Sequence, residues 1–146
     1  MDHGQFEEMG PIDYAVFEWP GQQPTGEVGP LILDLHDRGI IRILDVAFLA
    51  KGEDGSAAAI EVNALGEDSG FGEFEGASSG LLDQSDLDEA AAVLEPGTSA
   101  AVLVWENRWA APVAVAIRKS GGQLVANGRI PVQAILASLD AIEATA

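Results

Sequence analysis

Apolar residues along the chain follow two alternating spacings. Blocks rich in β-branched and aromatic residues, bounded by Gly, Pro or Asp, are typical of strands. The predicted strands are residues 12–19, 40–51, 57–62, 98–106 and 123–127. The second and third flank the turn sequence Glu53-Asp54-Gly55, so we expect them to form a hairpin. The fourth contains an unbroken apolar run, residues 100–105, which indicates a strand that is central in its sheet or covered on both faces.

Other segments place apolar residues three or four positions apart, or carry the start and stop signals of helices. The predicted helices are residues 25–38, 85–95, 107–119 and 131–146. Ser85 and Asp88 have the spacing of a capping box at the start of the second helix, and Asn107 is the expected cap of the third. Gly39 and Gly121 stand where glycine commonly ends a helix.

The order strand, helix, strand occurs twice, over residues 12–51 and 98–127, which suggests two copies of one unit. Glu18-Trp19 and Trp105-Glu106 stand at matching strand ends, although chance is the alternative explanation of so weak a likeness. Two right-handed crossovers in one sheet make a ferredoxin-like α+β sandwich. We therefore expect a mixed sheet of about five strands with helices mainly on one face.

Length and composition favour one folded domain. A chain of 146 residues lies in the size range of a single core. Residues 1–10 are polar and predict a flexible lead-in, followed by a single α+β domain over residues 11–146. Residues 63–80 contain five glycines and several acids with neither spacing, so we predict an acidic surface loop. Its carboxylates are of the type that binds calcium, but their spacing matches no EF-hand, and a solvated loop is the favoured interpretation.

Charge and residue usage exclude several classes of function. The net charge of −17 repels phosphate backbones, so we expect no nucleic acid partner. No apolar run reaches the roughly 18 residues that span a bilayer, which predicts no membrane insertion. The start of the chain lacks a signal-like pattern, so we expect a cytoplasmic protein. With no cysteine and only two histidines, we predict no metal and no cofactor.

Four short motifs carry a resemblance to a known family. They are Gly10-Pro-Ile-Asp-Tyr, Leu94-Glu-Pro-Gly-Thr, Trp105-Glu-Asn-Arg-Trp and Gly128-Arg-Ile-Pro-Val. From about Met9 to its end the chain resembles the bacterial family DUF6325, which is uncharacterised, so the resemblance implies an arrangement without an activity. A more distant likeness is to DUF1269, whose members place a glycine-rich apolar segment between two strand-helix-strand halves. The corresponding segment here, residues 63–80, is acidic and polar.

Three charged residues are candidates for ligand binding. Asp13 and Asp45 fall inside predicted strands, with Arg42 nearby. If the first two strands were neighbours, the two carboxylates would approach each other, and paired acids can perform acid–base chemistry when their pKa values differ. Strand periodicity equally allows both to face solvent, and that interpretation is favoured. No residue is assigned a catalytic role.

Trp109 and Arg129 are candidates for an interface, because tryptophan and arginine are common interface anchors. Core packing is the rival for Trp109, and an ion pair with Glu106 or Glu18 is the favoured role for Arg129. The favoured hypothesis is a noncatalytic protein-interaction or self-assembly module, including a homodimer. The alternative is a small-molecule-binding sensor or a small enzyme that uses a cleft between the duplicated halves. The direction of the strand acids distinguishes the two hypotheses.

Overall fold

The computed structural model describes residues 8–21, 28–62, 65, 71–74 and 76–145. Its strands are β1 (Ile12–Pro20), β2 (Arg42–Lys51), β3 (Ala57–Ile60) and β4 (Thr98–Glu106). Its α-helices are α1 (Val28–Asp37), α2 (Gln84–Ala92), α3 (Ala111–Lys119) and α4 (Val132–Thr145), with 3-10 turns at Gly72–Phe74 and Arg108–Ala110. The α+β class is confirmed. The single domain predicted over residues 11–146 divides into two compact units, residues 1–116 and 117–146.

The strands form one antiparallel sheet in the order β1-β4-β2-β3. The hairpin of β2 and β3 is confirmed, as is the central position of β4, which pairs along its whole length with both β1 and β2. The sheet differs from the prediction, because the described residues form four strands, all antiparallel to their neighbours. Residues 123–127 form no strand, and Leu124 and Val125 are exposed. A segment of high strand propensity does not form a strand unless another backbone pairs with it.

Alternate residues of β4 face two separate apolar clusters. Ala101 and Leu103 belong to the cluster against which α1 packs. Ala100 and Val102 belong to the cluster that contains the buried Ala90 of α2. Because neighbouring residues of a strand point to opposite faces, α1 and α2 lie on opposite sides of the sheet. The prediction of helices mainly on one face is therefore wrong for these two helices.

The segment predicted as a surface loop supplies much of the core beneath α1. Leu65, Phe71 and Phe74 are almost completely buried there. The ring of Phe71 meets those of Trp19, Phe48 and Phe74 edge to face, with centroids 5.7, 5.0 and 5.4 Å away. A segment without regular spacing can still direct its few large apolar side chains inward, which a period-based prediction misses. The acids Glu67, Asp68 and Glu75 lie outside the described residues.

The helix α2 begins two residues earlier than a cap at Ser85 predicts. Asp83 is the N-cap, and its carboxylate accepts the backbone N–H of Asp86 at 3.0 Å, while the Asp86 side chain accepts the N–H of Asp83. The Asp86 N–H and then the Ser85 hydroxyl hold the pKa of the Asp83 carboxyl below its ordinary value. At the other end, Lys51 Nζ donates to the carbonyls of Ala91 and Leu94, both at 3.0 Å. A cation there complements the negative end of the helix.

Candidate functional site

The first candidate residue, Asp45, lies inside the protein with 1% of its surface exposed. Its carboxylate accepts three backbone N–H groups, from Val46 at 2.9 Å, Ser79 at 2.8 Å and Leu82 at 2.7 Å. The register of β2 against β4 shifts between Ile43 and Asp45, which marks a β-bulge. At this bulge, Asp45 fastens residues 79–82, the segment that leads into α2, to the sheet.

A second polar group lies at the end of the sheet where β1, β4 and β2 meet. Glu106 is buried, with one carboxylate oxygen accepting from Arg42 Nε at 3.0 Å and the other from the N–H of Gly10 at 2.9 Å. Gly10 has no room for a side chain, because an added Cβ would collide with the carbonyl oxygen of Asn107. The buried charge of Glu106 is thus offset by a cation and a backbone donor.

Asn107 connects the remaining polar groups at this end. Its amide nitrogen donates to Asp13 Oδ2 at 2.8 Å and to the Pro11 carbonyl at 3.2 Å. Its amide oxygen accepts from the indole N–H groups of Trp105 and Trp109, at 3.1 and 3.3 Å. We call Glu106, Asn107 and these partners the sheet-end network. Asn107 stands at the predicted N-cap position, before the 3-10 turn that precedes α3, but its side chain makes no cap hydrogen bond.

The three predicted ligand-binding residues therefore have separate internal partners. Asp13 binds Asn107, Arg42 binds Glu106, and Asp45 binds backbone N–H groups. The strand β4 lies between β1 and β2, so the neighbouring pair of strands that would have brought the two acids together is not formed. Among the described residues, no hydrogen bond joins two of the three. The sequence contained the Trp105-Glu-Asn-Arg-Trp motif, but its role as a network could not be derived from spacing.

An apolar groove lies on the α2 side of the sheet, and it was not predicted from the sequence. It has a volume of about 570 Å³. We call it the α2 groove. Its floor comes from β1 and β4, its wall comes from α2 and the residues beside it, and Tyr14 of β1 also lines it. The floor is Val16, Val102 and Val104, and the wall is Leu82, Asp86, Glu89, Ala90 and Val93. Ile12, Leu81 and the predicted ligand-binding residue Asp13 complete the lining. Tyr14 is 76% exposed and Val93 73% exposed. The alternation Ile12, Tyr14, Val16 in β1 was the available signal for this second apolar face.

The two predicted interface residues stand on the surface. Trp109 is 67% exposed, while its backbone N–H donates to the Ile40 carbonyl at 3.1 Å and its indole N–H is held by Asn107. Core packing, the rival interpretation of Trp109, does not apply to a ring with this exposure. Arg129 is exposed in the second unit. Both carboxylate oxygens of Glu106, one of its predicted partners, already have partners of their own.

The described part of the chain lacks two further classes of site. It contains no group of three or more His, Cys, Asp or Glu residues arranged to hold a metal ion. None of its helices has both the length and the apolar composition needed to cross a membrane.

The fold and these sites define an α+β protein with a four-stranded antiparallel sheet, a polar network at one sheet end and an apolar groove along one face. The chain belongs to DUF6325, a family of unknown function, which it matches over residues 8–146. The resemblance stated from the four motifs is thereby confirmed. No curated protein and no solved structure matches the chain.

Proposed function

We propose that this protein is a noncatalytic protein-interaction module and that the α2 groove is its binding surface. The observation that carries this proposal is the contrast between the groove and the polar residues. Large apolar side chains, above all Tyr14 and Val93, are exposed around the groove. The candidate acid Asp45 is instead buried against backbone N–H groups, and Asp13, which lines the groove, is hydrogen-bonded to Asn107. Contiguous exposed apolar surface is typical of a binding site, whereas single exposed apolar residues are not.

The chemistry of the groove favours a protein surface as its occupant. An apolar floor with a tyrosine beside it resembles the centre of protein interfaces, where aromatic anchors are enriched. The acids Asp86 and Glu89 on the α2 wall would attract a partner that carries basic groups beside an apolar face. Trp109, whose ring is exposed but held by its hydrogen bonds, and Arg129 remain proposed interface residues.

The groove contains a natural probe, because Tyr14 is the only tyrosine in the chain. Nitration of Tyr14 by tetranitromethane should be fast in dilute protein and should slow when a partner or a second copy covers the groove. We expect Val93→Glu, which places a charge in the groove, to restore fast nitration at high protein concentration. The matched control Val125→Glu changes another exposed valine, in the second unit, and should behave as wild type. Equal nitration of all three proteins at every concentration contradicts self-assembly through the groove.

The alternative function is small-molecule binding, by a sensor or a small enzyme, and one observation favours it. The groove volume of about 570 Å³ lies within the roughly 300–1,000 Å³ typical of ligand pockets. In that case Asp13, Arg42 and Asp45 are the proposed polar groups near the ligand, and their internal partners would have to exchange. This alternative predicts that natively purified protein carries a stoichiometric small molecule, which mass spectrometry detects after release by denaturation.

The ferredoxin-like architecture remains a proposal. It is supported by the order β1-β4-β2, in which two strands joined through α1 flank an antiparallel third, as in a split β-α-β unit. A high-resolution experimental structure tests this architecture. The cytoplasmic location likewise remains a prediction.

A further inference from the structure

An asparagine–glycine pair, Asn127-Gly128, lies in the irregular segment between α3 and α4. A Cβ built on Gly128 would meet no other atom within 4 Å. Within the described part of the second unit, residues 117–145, no hydrogen bond holds the Asn127 side chain or the Gly128 N–H. Neither helix of this unit therefore fixes the rotation of the pair.

We infer that Asn127 is a site of spontaneous covalent modification, at which the side-chain amide is lost through attack by the next backbone nitrogen. The Gly128 nitrogen bonds to Asn127 Cγ and gives up its proton, the bond from Cγ to the side-chain nitrogen breaks, and ammonia leaves. The product is a cyclic succinimide. Water then opens the ring at either carbonyl carbon, which leaves aspartate or isoaspartate. Water is the sole co-reactant, and no atom changes its oxidation state.

Glycine at position 128 favours this reaction, because the attacking nitrogen must come close to Cγ of Asn127. A side chain on the residue that supplies the nitrogen would hinder the approach, and glycine has none and the widest choice of backbone angles. Intramolecular attack is fast when the reacting atoms can reach a near-attack geometry. Asn127 is the only one of the three asparagines that a glycine follows.

The pair Asp54-Gly55 could form the same succinimide by loss of water, but hydrogen bonds hold both of its reacting groups. The Gly55 N–H donates to the Gly52 carbonyl at 3.0 Å. Asp54 Oδ1 accepts the N–H and the hydroxyl of Ser56, at 3.0 and 2.7 Å. The Ser56 hydroxyl, followed by its N–H, holds the pKa of the Asp54 carboxyl below its ordinary value, which favours the unreactive carboxylate. The structure thus protects one such pair and leaves the other unprotected in its own unit.

Asn107 is protected in another way. Its amide nitrogen donates to Asp13 and to the Pro11 carbonyl, while its amide oxygen accepts from two indole N–H groups. A side chain held by four hydrogen bonds cannot readily turn its Cγ toward the next backbone nitrogen. Asn107 and Asp54 are therefore controls within the same molecule.

The modification changes the charge and the backbone of the second unit. Residues 117–146 contain three basic and two acidic residues, so their net charge falls from +1 to zero. Isoaspartate also inserts one carbon atom into the main chain, immediately before the family motif Gly128-Arg-Ile-Pro-Val. Aged protein is then a mixture of three forms, which differ at this one residue.

Mass spectrometry of aged protein tests the inference. The full-length protein is incubated at neutral pH in water enriched in ¹⁸O, and trypsin in ordinary water then releases residues 120–129 as one peptide, since Lys119 and Arg129 define its ends. We expect loss of the amide at Asn127 with one ¹⁸O atom incorporated, in both isoaspartyl and aspartyl peptides. A synthetic peptide of residues 120–129 should react at a similar rate. Asn107 and Asp54 should remain unchanged.

Variants of the pair separate its chemistry from any effect on folding. Gly128→Val places a branched side chain beside the attacking nitrogen and should slow the reaction several-fold, while Val125→Ala is the matched control and should leave the rate unchanged. Each variant should keep the urea midpoint of wild type. An intact Asn127 in protein aged until the synthetic peptide has reacted overturns the inference. Equal rates in wild type and Gly128→Val, or equally fast reaction at Asn107, also overturn it.

Discussion

Replacement of Asp45 tests whether this buried acid fastens residues 79–82 to the sheet. The change Asp45→Ala removes the acceptor of three backbone N–H groups, two of which belong to Ser79 and Leu82. A buried donor left without a partner costs about 1–3 kcal/mol, and water can reach the partly buried ones. We therefore expect Asp45→Ala to lower the free energy of unfolding by about 4 kcal/mol. Asp45→Asn keeps one acceptor oxygen and should cost about 2 kcal/mol.

Urea unfolding followed by tryptophan fluorescence measures this effect, since the chain contains three tryptophans. With a slope of about 1.5 kcal/mol per molar urea, the midpoint should fall by roughly 2–3 M for Asp45→Ala and by about half as much for Asp45→Asn. Asp34→Ala is the control, because Asp34 forms an exposed ion pair with Arg38 at 3.2 Å, and it should change stability by less than about 0.5 kcal/mol.

The free energy of unfolding should decrease in the order wild type, Asp45→Asn, Asp45→Ala. If Asp45→Ala loses less than about 1 kcal/mol, the three hydrogen bonds do not hold the segment before α2. If Asp45→Ala is more stable than wild type, Asp45 destabilises the fold, as functional residues often do. That result would support the proposed role of Asp45 in small-molecule binding. Either result refutes a purely structural role.

Three other predictions concern single side chains. Ser99 is fully buried and its hydroxyl has no hydrogen-bond partner among the described residues, so Ser99→Ala should raise stability by up to about 1 kcal/mol in urea unfolding, and a clear loss would contradict this. Gly10→Ala should cost about 1–3 kcal/mol because its Cβ collides with the carbonyl of Asn107, whereas Gly128→Ala, with open space around it, should cost little. The pKa of the Asp83 carboxyl is lowered in the folded protein. The stability advantage of wild type over Asp83→Ala should therefore be full above the ordinary carboxyl pKa of about 4 and disappear as the pH falls through the lowered value. A difference in urea midpoint that does not change with pH would contradict the capping role.

The sequence predicted those elements whose position in the fold follows from their own residues. The unbroken apolar run of β4 and the turn between β2 and β3 were sufficient, because central position and hairpin pairing follow from local pattern. The five-stranded sheet is not confirmed. Residues 123–127 have a strand-like composition but form no strand, because pairing depends on an edge that is distant in the sequence.

The candidate site was less predictable, because it depends on which residues tertiary packing brings together. Asp45 was predicted as a strand acid, but the bulge that turns it toward Ser79 and Leu82 leaves no mark in the spacing. Asn107 was predicted as a helix cap, since composition cannot show that two indoles and Asp13 converge on it. Phe71 and Phe74 lie among acids and glycines, and only the packed structure shows that they are core.

Native mass spectrometry of gently purified protein tests the central claim most directly, because it reports subunit number and retained small molecules together. The proposed self-assembly through the α2 groove predicts a multimer and no additional mass. The multimer should dissociate in Val93→Glu and persist in Val125→Glu. A monomer that carries a reproducible small-molecule mass would contradict the account and favour the binding-pocket alternative.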